Sequence, residues 1–261
     1  MIATRIASAQ LRVALSRAAQ YRVDFIVRGL LAAFWVVWNV VPLLVVFHGR
    51  ASVAGWTFDE ALVVMAWFQL CKAVLEGIVN PGLVAAVEHI RLGTLDFVLL
   101  KPADAQLLLS TAQIEPWRAM DVLGAMVLLG RAFWGLGRAP EIAHVAVALA
   151  LLVGSVATLY SIGILAVSVA FWVVRIGNLT YLFNAIFDAG RWPVQVFRGF
   201  WRIVFTFVIP LGLMTTYPAL ALLGKLEPGA ALGALGGAAT FLVVSRLVFR
   251  RALRHYSSAS S

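Results

Sequence analysis

The feature that most constrains this chain is a run of 33 residues, from 142 to 174, without a single Asp, Glu, Lys or Arg. About 20 apolar residues are enough for a helix to cross the ~30 Å hydrocarbon core of a bilayer. Of the 261 residues only 13% are charged and 62% are hydrophobic, whereas soluble domains carry roughly 25% charged residues. The sequence therefore predicts an all-α polytopic membrane protein.

Hydropathy predicts a single transmembrane domain, residues 1–261, with six transmembrane helices. The third span is weak because charged residues interrupt it, and its helix is expected to begin before Pro116. The predicted spans are residues 30–47, 61–80, 107–130, 142–174, a fifth within 178–225, and 228–248.

The region before the last span leaves two topologies open. In the first, residues 178–197 form the fifth span and residues 198–224 form a re-entrant hairpin that dips back from the outside. In the second, residues 203–223 form the span and the preceding arginines stay cytoplasmic, as the positive-inside rule favours. These arginines are Arg191, Arg198 and Arg202.

The formal charge of +9 comes from arginines at the two ends of the chain. Basic residues that flank the spans are typical of the cytoplasmic side of a membrane protein, so this charge predicts two cytoplasmic termini and does not indicate nucleic-acid binding. Residues 1–28 are expected to form a cytoplasmic interfacial helix that lies against lipid headgroups.

No motif of an enzyme occurs in the sequence. It has no phosphate-binding loop, no HExxH or GxSxG motif, and a single cysteine, Cys71. The four histidines are not spaced as metal ligands. We therefore expect no catalytic residue, no metal site and no cofactor in this chain.

The second predicted span carries a charged pair, Lys72 and Glu76. Their i,i+4 spacing places both on one helical face, where they can neutralise each other. Two interpretations stay open: a polar lining of a substrate pathway, or a structural ion pair near the cytoplasmic headgroups with Lys72 extended toward them.

Residues 90–102, here called the elbow, have the sequence Ile-Arg-Leu-Gly-Thr-Leu-Asp-Phe-Val-Leu-Leu-Lys-Pro. Gly93 is typical of a helix C-terminus, and Pro102 of a stop. The pattern predicts one helix that ends at Gly93, then a short second helix.

The elbow resembles the cytoplasmic loop of the membrane (permease) subunits of type-2 ABC exporters, in particular a bacterial six-helix branch formerly catalogued as a domain of unknown function. The segments Arg191-Trp192-Pro193, Pro210 and Thr216-Tyr217-Pro218-Ala219 fit the same branch. The resemblance implies a bacterial inner-membrane exporter with a separate cytoplasmic ATPase that uses ATP and Mg. It also implies a second permease subunit, either the same chain or a homologue, in contact with membrane lipid.

The resemblance further implies roles for particular residues. The cytoplasmic coupling loop is residues 81–106, with coupling assigned to Arg91, Gly93, Thr94, Leu95, Asp96 and Leu99. An outer gate is assigned to Pro193, Pro210 and Pro218. From their i, i+4, i+8 spacing, a helix-packing ridge is expected at Gly229, Gly233 and Gly237.

Three other functions are considered. A secondary, proton-linked carrier would use Lys72, Glu76 or Asp121 and would have inverted repeats, which the sequence does not display. An intramembrane enzyme would need a nucleophile, an acid pair or a metal cluster within a span. A membrane scaffold without transport activity has no sequence signature that would exclude it.

Overall fold

The computed structural model describes residues 2–111, 113–169, 171, 187–204, 210 and 212–256. Within these residues the chain is helical and has no β-strand. The α-helices are α1 (Ile2–Gln20), α2 (Arg22–Phe47), α3 (Phe58–Val74), α4 (Asn80–Arg91), α5 (Asp96–Leu99), α6 (Ala105–Ser110), α7 (Ala119–Leu136), α8 (Ile142–Val169), α9 (Phe200–Ile203), α10 (Tyr217–Leu222) and α11 (Pro228–Leu253).

Five described helical stretches are long and apolar enough to cross a bilayer, which confirms the prediction of an all-α polytopic membrane protein. Of the two candidates for the fifth span, residues 178–197 lie outside the described part up to residue 186, and their described remainder contains the 3-10 turns Ala189–Arg191 and Val194–Val196 instead of a long helix. Residues 203–223 lie partly outside the described part, at 205–209 and 211. The five stretches are Arg22–Phe47, Phe58–Arg91, Pro116–Leu136, Ile142–Val169 and Pro228–Leu253.

The N-terminal region differs from the predicted interfacial helix over residues 1–28. Helix α1 ends at Gln20, and the chain bends at Tyr21, where φ is −105° and ψ is 58°. Helix α2 then begins at Arg22, so the last part of the expected interfacial helix is the first two turns of the first spanning helix.

The second spanning helix continues past Pro81, where the sequence predicted a loop. A π-helical turn, Leu75–Val79, joins α3 to α4. Pro81 has no N–H, so it cannot donate to the carbonyl of Gly77, four residues earlier in the helix. The Glu115 N–H donates to this carbonyl instead, at 2.8 Å, and the helix runs on to Arg91.

The expectation that the third spanning helix begins before Pro116 is wrong. A separate short helix, α6, occupies residues 105–110 and is capped by Asp104, whose carboxylate accepts the Leu107 N–H at 3.1 Å. The next helix starts with a 3-10 turn at Pro116, which the Arg118 N–H closes by donating to the Glu115 carbonyl at 3.1 Å. Helix α7 then reaches Leu136, beyond the predicted end at residue 130.

Helix α3 lies at the centre of the bundle. In the Phe58–Arg91 stretch 72% of the most apolar window is buried, against 17–33% in the other four. A capping box starts the helix: Thr57 Oγ1 accepts the Glu60 N–H, and Glu60 accepts the Thr57 N–H. Helix α7 approaches α2 closely at Gly124, where a Cβ would lie 2.9 Å from the Val36 methyl groups.

Candidate functional site

The elbow has the hydrogen bonds of a Schellman C-cap. The Thr94 N–H donates to the His89 carbonyl at 3.0 Å, and the Gly93 N–H donates to the Ile90 carbonyl at 3.3 Å. Gly93 has φ +67°, the left-handed conformation that this motif requires. Thr94 Oγ1 lies 2.8 Å from His89 Nδ1 and adds a side-chain bond across the cap. The turn is therefore fixed by its own hydrogen bonds.

One face of the elbow is buried and the other is apolar and exposed. Leu95 is fully buried, and Val98 is nearly so. By contrast, Phe97 is 70% exposed and Leu100 is 81% exposed. Exposed contiguous apolar surface in an otherwise fixed turn is typical of an interaction site. Leu92 and Leu99 extend this apolar face.

A group of side chains that we call the clamp ties the segment after the elbow to two spanning helices. Arg246 of α11 donates from Nη1 to Asp104 Oδ1 at 2.9 Å and to Gln106 Oε1 at 2.6 Å, and a second bond joins it to Asp104. Gln106 Nε2 donates to the Tyr160 hydroxyl of α8 at 2.9 Å. Ser110 lies 2.7 Å from the same hydroxyl. Movement at the elbow would therefore reach α8 and α11 directly.

A second polar group lies within the bundle and is here called the charge cluster. Arg118 is its centre, because its guanidinium forms ion pairs with Glu76 of the π turn and with Asp121 of α7, the latter at 2.9 Å. Asp121 is buried and also accepts from Gln69 Nε2 at 3.0 Å. Trp117 stacks on the guanidinium with 4.0 Å from its ring centroid to Cζ.

Lys72 joins the charge cluster to the segment that follows the undescribed residues 172–186. Its Nζ lies 3.8 Å from Glu76 and 3.6 Å from Asp188. Asp188 in turn pairs with Arg191 at 3.3 Å, and Arg191 Nη1 donates to Asn39 of α2 at 3.4 Å. The cluster thus connects α2, α3, α7 and residues 188–191.

A cavity of about 370 Å³ adjoins the charge cluster. Ligand sites in proteins typically enclose about 300–1,000 Å³, so the cavity is large enough for a small polar group. Its walls come from α2, α3, the π turn and the start of α7. The lining residues are Arg28, Leu31, Ala32, Trp35, Asn39, Gln69, Lys72, Glu76, Trp117, Arg118 and Asp121.

The three prolines expected at the outer gate lie in broken helical structure. Pro193 precedes a 3-10 turn, Val194–Val196, and Pro210 is buried. Pro218 is the second residue of the short helix α10, which follows a π-helical turn, Gly212–Thr216. The Val194 N–H donates to Thr216 Oγ1 at 3.1 Å and holds the two segments together.

Both ends of the segment 198–224 lie at the end of the bundle where α2 connects to α3. Phe197 lines a cavity with Phe47 and Trp56 of that connection, and Lys225 pairs with Glu60 at 2.5 Å. Between them, the Met214 carbonyl lies deeper and accepts from Ser155 Oγ of α8 at 3.0 Å. Residues 205–209 and 211 are outside the described part.

The predicted glycine ridge on α11 has little packing within the described chain. A Cβ placed on Gly229 or Gly233 would have no described atom within 4 Å, and one on Gly237 would lie 3.5 Å from a Leu213 methyl. The role of this ridge remains a prediction.

Comparison with known families gives one decisive match. The family described as ABC-2 family transporter protein matches residues 33–260, which is most of the chain and includes the elbow and the charge cluster. The chain belongs to the ABC-2 transporter family. Comparison with curated proteins and with solved structures gave no significant match.

Membership of the ABC-2 family identifies the protein as a multi-pass membrane component of a transporter, in agreement with the resemblance of its motifs. Two features of this ABC-2 protein were missed by sequence reasoning. Asp104 and Arg246 are 142 residues apart, and no local spacing links them. Asp188 was not expected in the charge cluster, because only its position beside Lys72 in the folded chain reveals its role.

Proposed function

We propose that this ABC-2 family protein is the permease subunit of an ATP-binding-cassette exporter, and that a separate cytoplasmic ATPase drives it through the elbow. The observation that carries the proposal is the exposed apolar face of the elbow at the end of a helix that passes through the whole bundle. A partner that binds this face can move the spanning helices, because the clamp connects the segment after the elbow to α8 and α11.

The residues assigned to coupling have different tasks under this proposal. Gly93 and Thr94 fix the turn, and buried Leu95 holds it against the bundle. Arg91 pairs with Glu88 at 2.6 Å on the surface. Leu99 contacts the ATPase directly. Two residues that the sequence analysis did not single out, Phe97 and Leu100, do so as well. Asp96 begins α5 between them.

The pathway is assigned to the charge cluster and to the segment 198–224. Lys72 and Glu76 line the pathway on the side nearer the elbow, and the prolines Pro193, Pro210 and Pro218 form the outer gate. The contacts of Phe197 and Lys225 at one end of the bundle support the re-entrant topology, with the elbow and both termini in the cytoplasm of a bacterial cell. A second permease subunit completes the pathway.

The test uses the tagged full chain in its native membranes with Phe97→Asp and Leu100→Asp combined. Both side chains are exposed, so the fold is expected to survive while the apolar contact is lost. We expect the wild-type chain to co-purify with an ABC ATPase and the double variant to lose it. Ile142→Asp is the matched control, because Ile142 is 89% exposed at the far end of the bundle, and it should retain the ATPase.

Recovery of the wild-type chain without an ATPase, under conditions where another ABC complex remains intact, would contradict the proposal. A scaffold or a secondary carrier would then explain the chain better. Equal ATPase recovery with the double variant and the wild type would place the contact elsewhere on the protein.

A further inference from the structure

The cavity beside the charge cluster has the chemistry of an anion site. We propose that it binds the anionic head group of an amphiphile, a phosphate or a carboxylate, at the depth of Lys72. Only the idea that this amphiphile is cargo rests on the proposed exporter function. Binding itself is a property of the single chain and can be tested without an ATPase.

The Lys72 ammonium has no hydrogen-bond acceptor among the described residues. Its Nζ lies 3.6 Å from Asp188 and 3.8 Å from Glu76, beyond hydrogen-bond distance for an ammonium. A charged donor that leaves water without gaining an acceptor destabilises the folded state. An oxygen-rich anion beside Lys72 would supply the missing acceptor.

The carboxylates of the cavity are already occupied. Asp121 accepts from Gln69 and from Arg118, and Glu76 is paired with Arg118. Arg28 also lines the cavity, but its guanidinium is paired with Asp24 at 2.8 Å. A cation would therefore meet carboxylates that already have partners. An anion would meet the Lys72 ammonium, which has no acceptor within hydrogen-bond distance, so the cavity favours negative charge.

The position of the cavity favours an amphiphile. Lys72 lies 14 residues after Phe58, or roughly 21 Å along a helix that rises about 1.5 Å per residue, in the half of the bilayer nearer the elbow. Leu31 and Trp35 line the cavity and are more than half exposed, so it reaches the lipid-facing surface of α2. A charged head group could therefore enter while its apolar chain stays in the bilayer.

Asp188 competes with such an anion. Its carboxylate lies nearest to the Lys72 ammonium and is itself partly neutralised by Arg191. Removing the Asp188 charge would free Lys72 for the ligand. The cavity thus predicts one variant that weakens binding and one that strengthens it.

The experiment titrates the delipidated full chain in detergent with phosphatidylglycerol or phosphatidylcholine and measures the bound lipid by native mass spectrometry. The wild type should prefer phosphatidylglycerol. Lys72→Gln should bind this lipid roughly tenfold more weakly, because it loses one charge-assisted hydrogen bond to the head group. Asp188→Asn should bind it more tightly, a gain that misfolding does not imitate. Arg131→Gln is the matched control, because Arg131 is a surface residue at the far end of the same helix as Asp121.

Equal affinity of the wild type for the two lipids would overturn the proposal, and so would unchanged phosphatidylglycerol binding in both Lys72→Gln and Asp188→Asn. Inorganic phosphate as competitor distinguishes the sources of the anion. Displacement of the lipid by phosphate at millimolar concentration assigns recognition to the head group alone, whereas failure to displace it shows that the apolar chain contributes. If the chain prefers phosphatidylglycerol but co-purifies with no ATPase, the proposed exporter function is refuted and the proposed anion site is supported.

Discussion

At the residue scale, two glycines of the elbow region have conformations or contacts that other residues do not tolerate. Gly93 adopts φ +67° in the Schellman cap. Gly82 of α4 approaches the backbone of α6, where a Cβ would lie 2.5 Å from the Ser110 carbonyl oxygen.

Gly93→Ala is expected to lower stability by about 1–2 kcal/mol, the cost of a left-handed backbone in an L-residue, and to reduce ATP-dependent transport. Gly49 offers a control, since it has φ +69° with no atom near its Cβ position. Gly49→Ala should cause a similar fall in thermal stability without loss of transport. The comparison requires a thermal unfolding curve and a transport assay for each variant. Equal transport by both variants would show that the shape of the elbow does not matter.

Gly82→Ala is expected to lower the unfolding temperature, because the new methyl group would collide with backbone atoms that cannot rotate away. Gly130→Ala in α7 is the control. A Cβ there has no atom within 4 Å, and alanine is a better helix former by about 1 kcal/mol. Its unfolding temperature should stay constant or rise. A stable Gly82→Ala protein would mean that α4 and α6 can separate at low cost.

At the element scale, the clamp links the short helix α6 to two spanning helices and depends on one carboxylate. The hydrogen bonds from the Arg246 guanidinium, with those from nearby backbone N–H groups, lower the pKa of Asp104 below its ordinary value. A lowered pKa in the folded state gives stability that is present above the unfolded pKa, about 3.9. It is lost only as the pH falls through the lower folded value.

The clamp is therefore expected to persist from neutral pH to about pH 5, above the ordinary carboxyl pKa. Hydrogen exchange of α6 should show the same protection across this range once intrinsic rates are corrected. Asp104→Asn should reduce this protection at every pH, and adding Arg246→Gln should cause little further loss, because the two residues act as one unit. Fully additive effects of the two substitutions would argue against the clamp.

Sequence patterns predict the elements that depend on neighbouring residues. The cap at Gly93, the short helix at Asp96 and the i,i+4 pair of Lys72 and Glu76 all follow from local spacing. The uninterrupted helix from α3 to α4 does not, since Pro81 normally ends a helix. Its continuation depends on a donor from Glu115, which only the folded chain brings near.

At the scale of the whole molecule, the family and the helical membrane class could be predicted from the sequence. The assembly of separate ion pairs into one charge cluster could not. The pair of Arg118 and Asp121 follows from their i,i+3 spacing. The additional pair of Arg118 with Glu76 merges two local charge pairs into one cluster. Such merging depends on how helices pack, which the spacing within one helix does not record.

The unbroken stretch from Phe58 to Arg91 has a consequence for the outline of the protein. Its 34 residues measure roughly 51 Å at about 1.5 Å per residue, whereas the hydrocarbon core of a bilayer is ~30 Å thick. The stretch is therefore roughly 20 Å longer than the hydrocarbon core is thick, so at least one of its ends lies outside the core when the helix is upright. A soluble protein can reach such an end without entering the hydrocarbon.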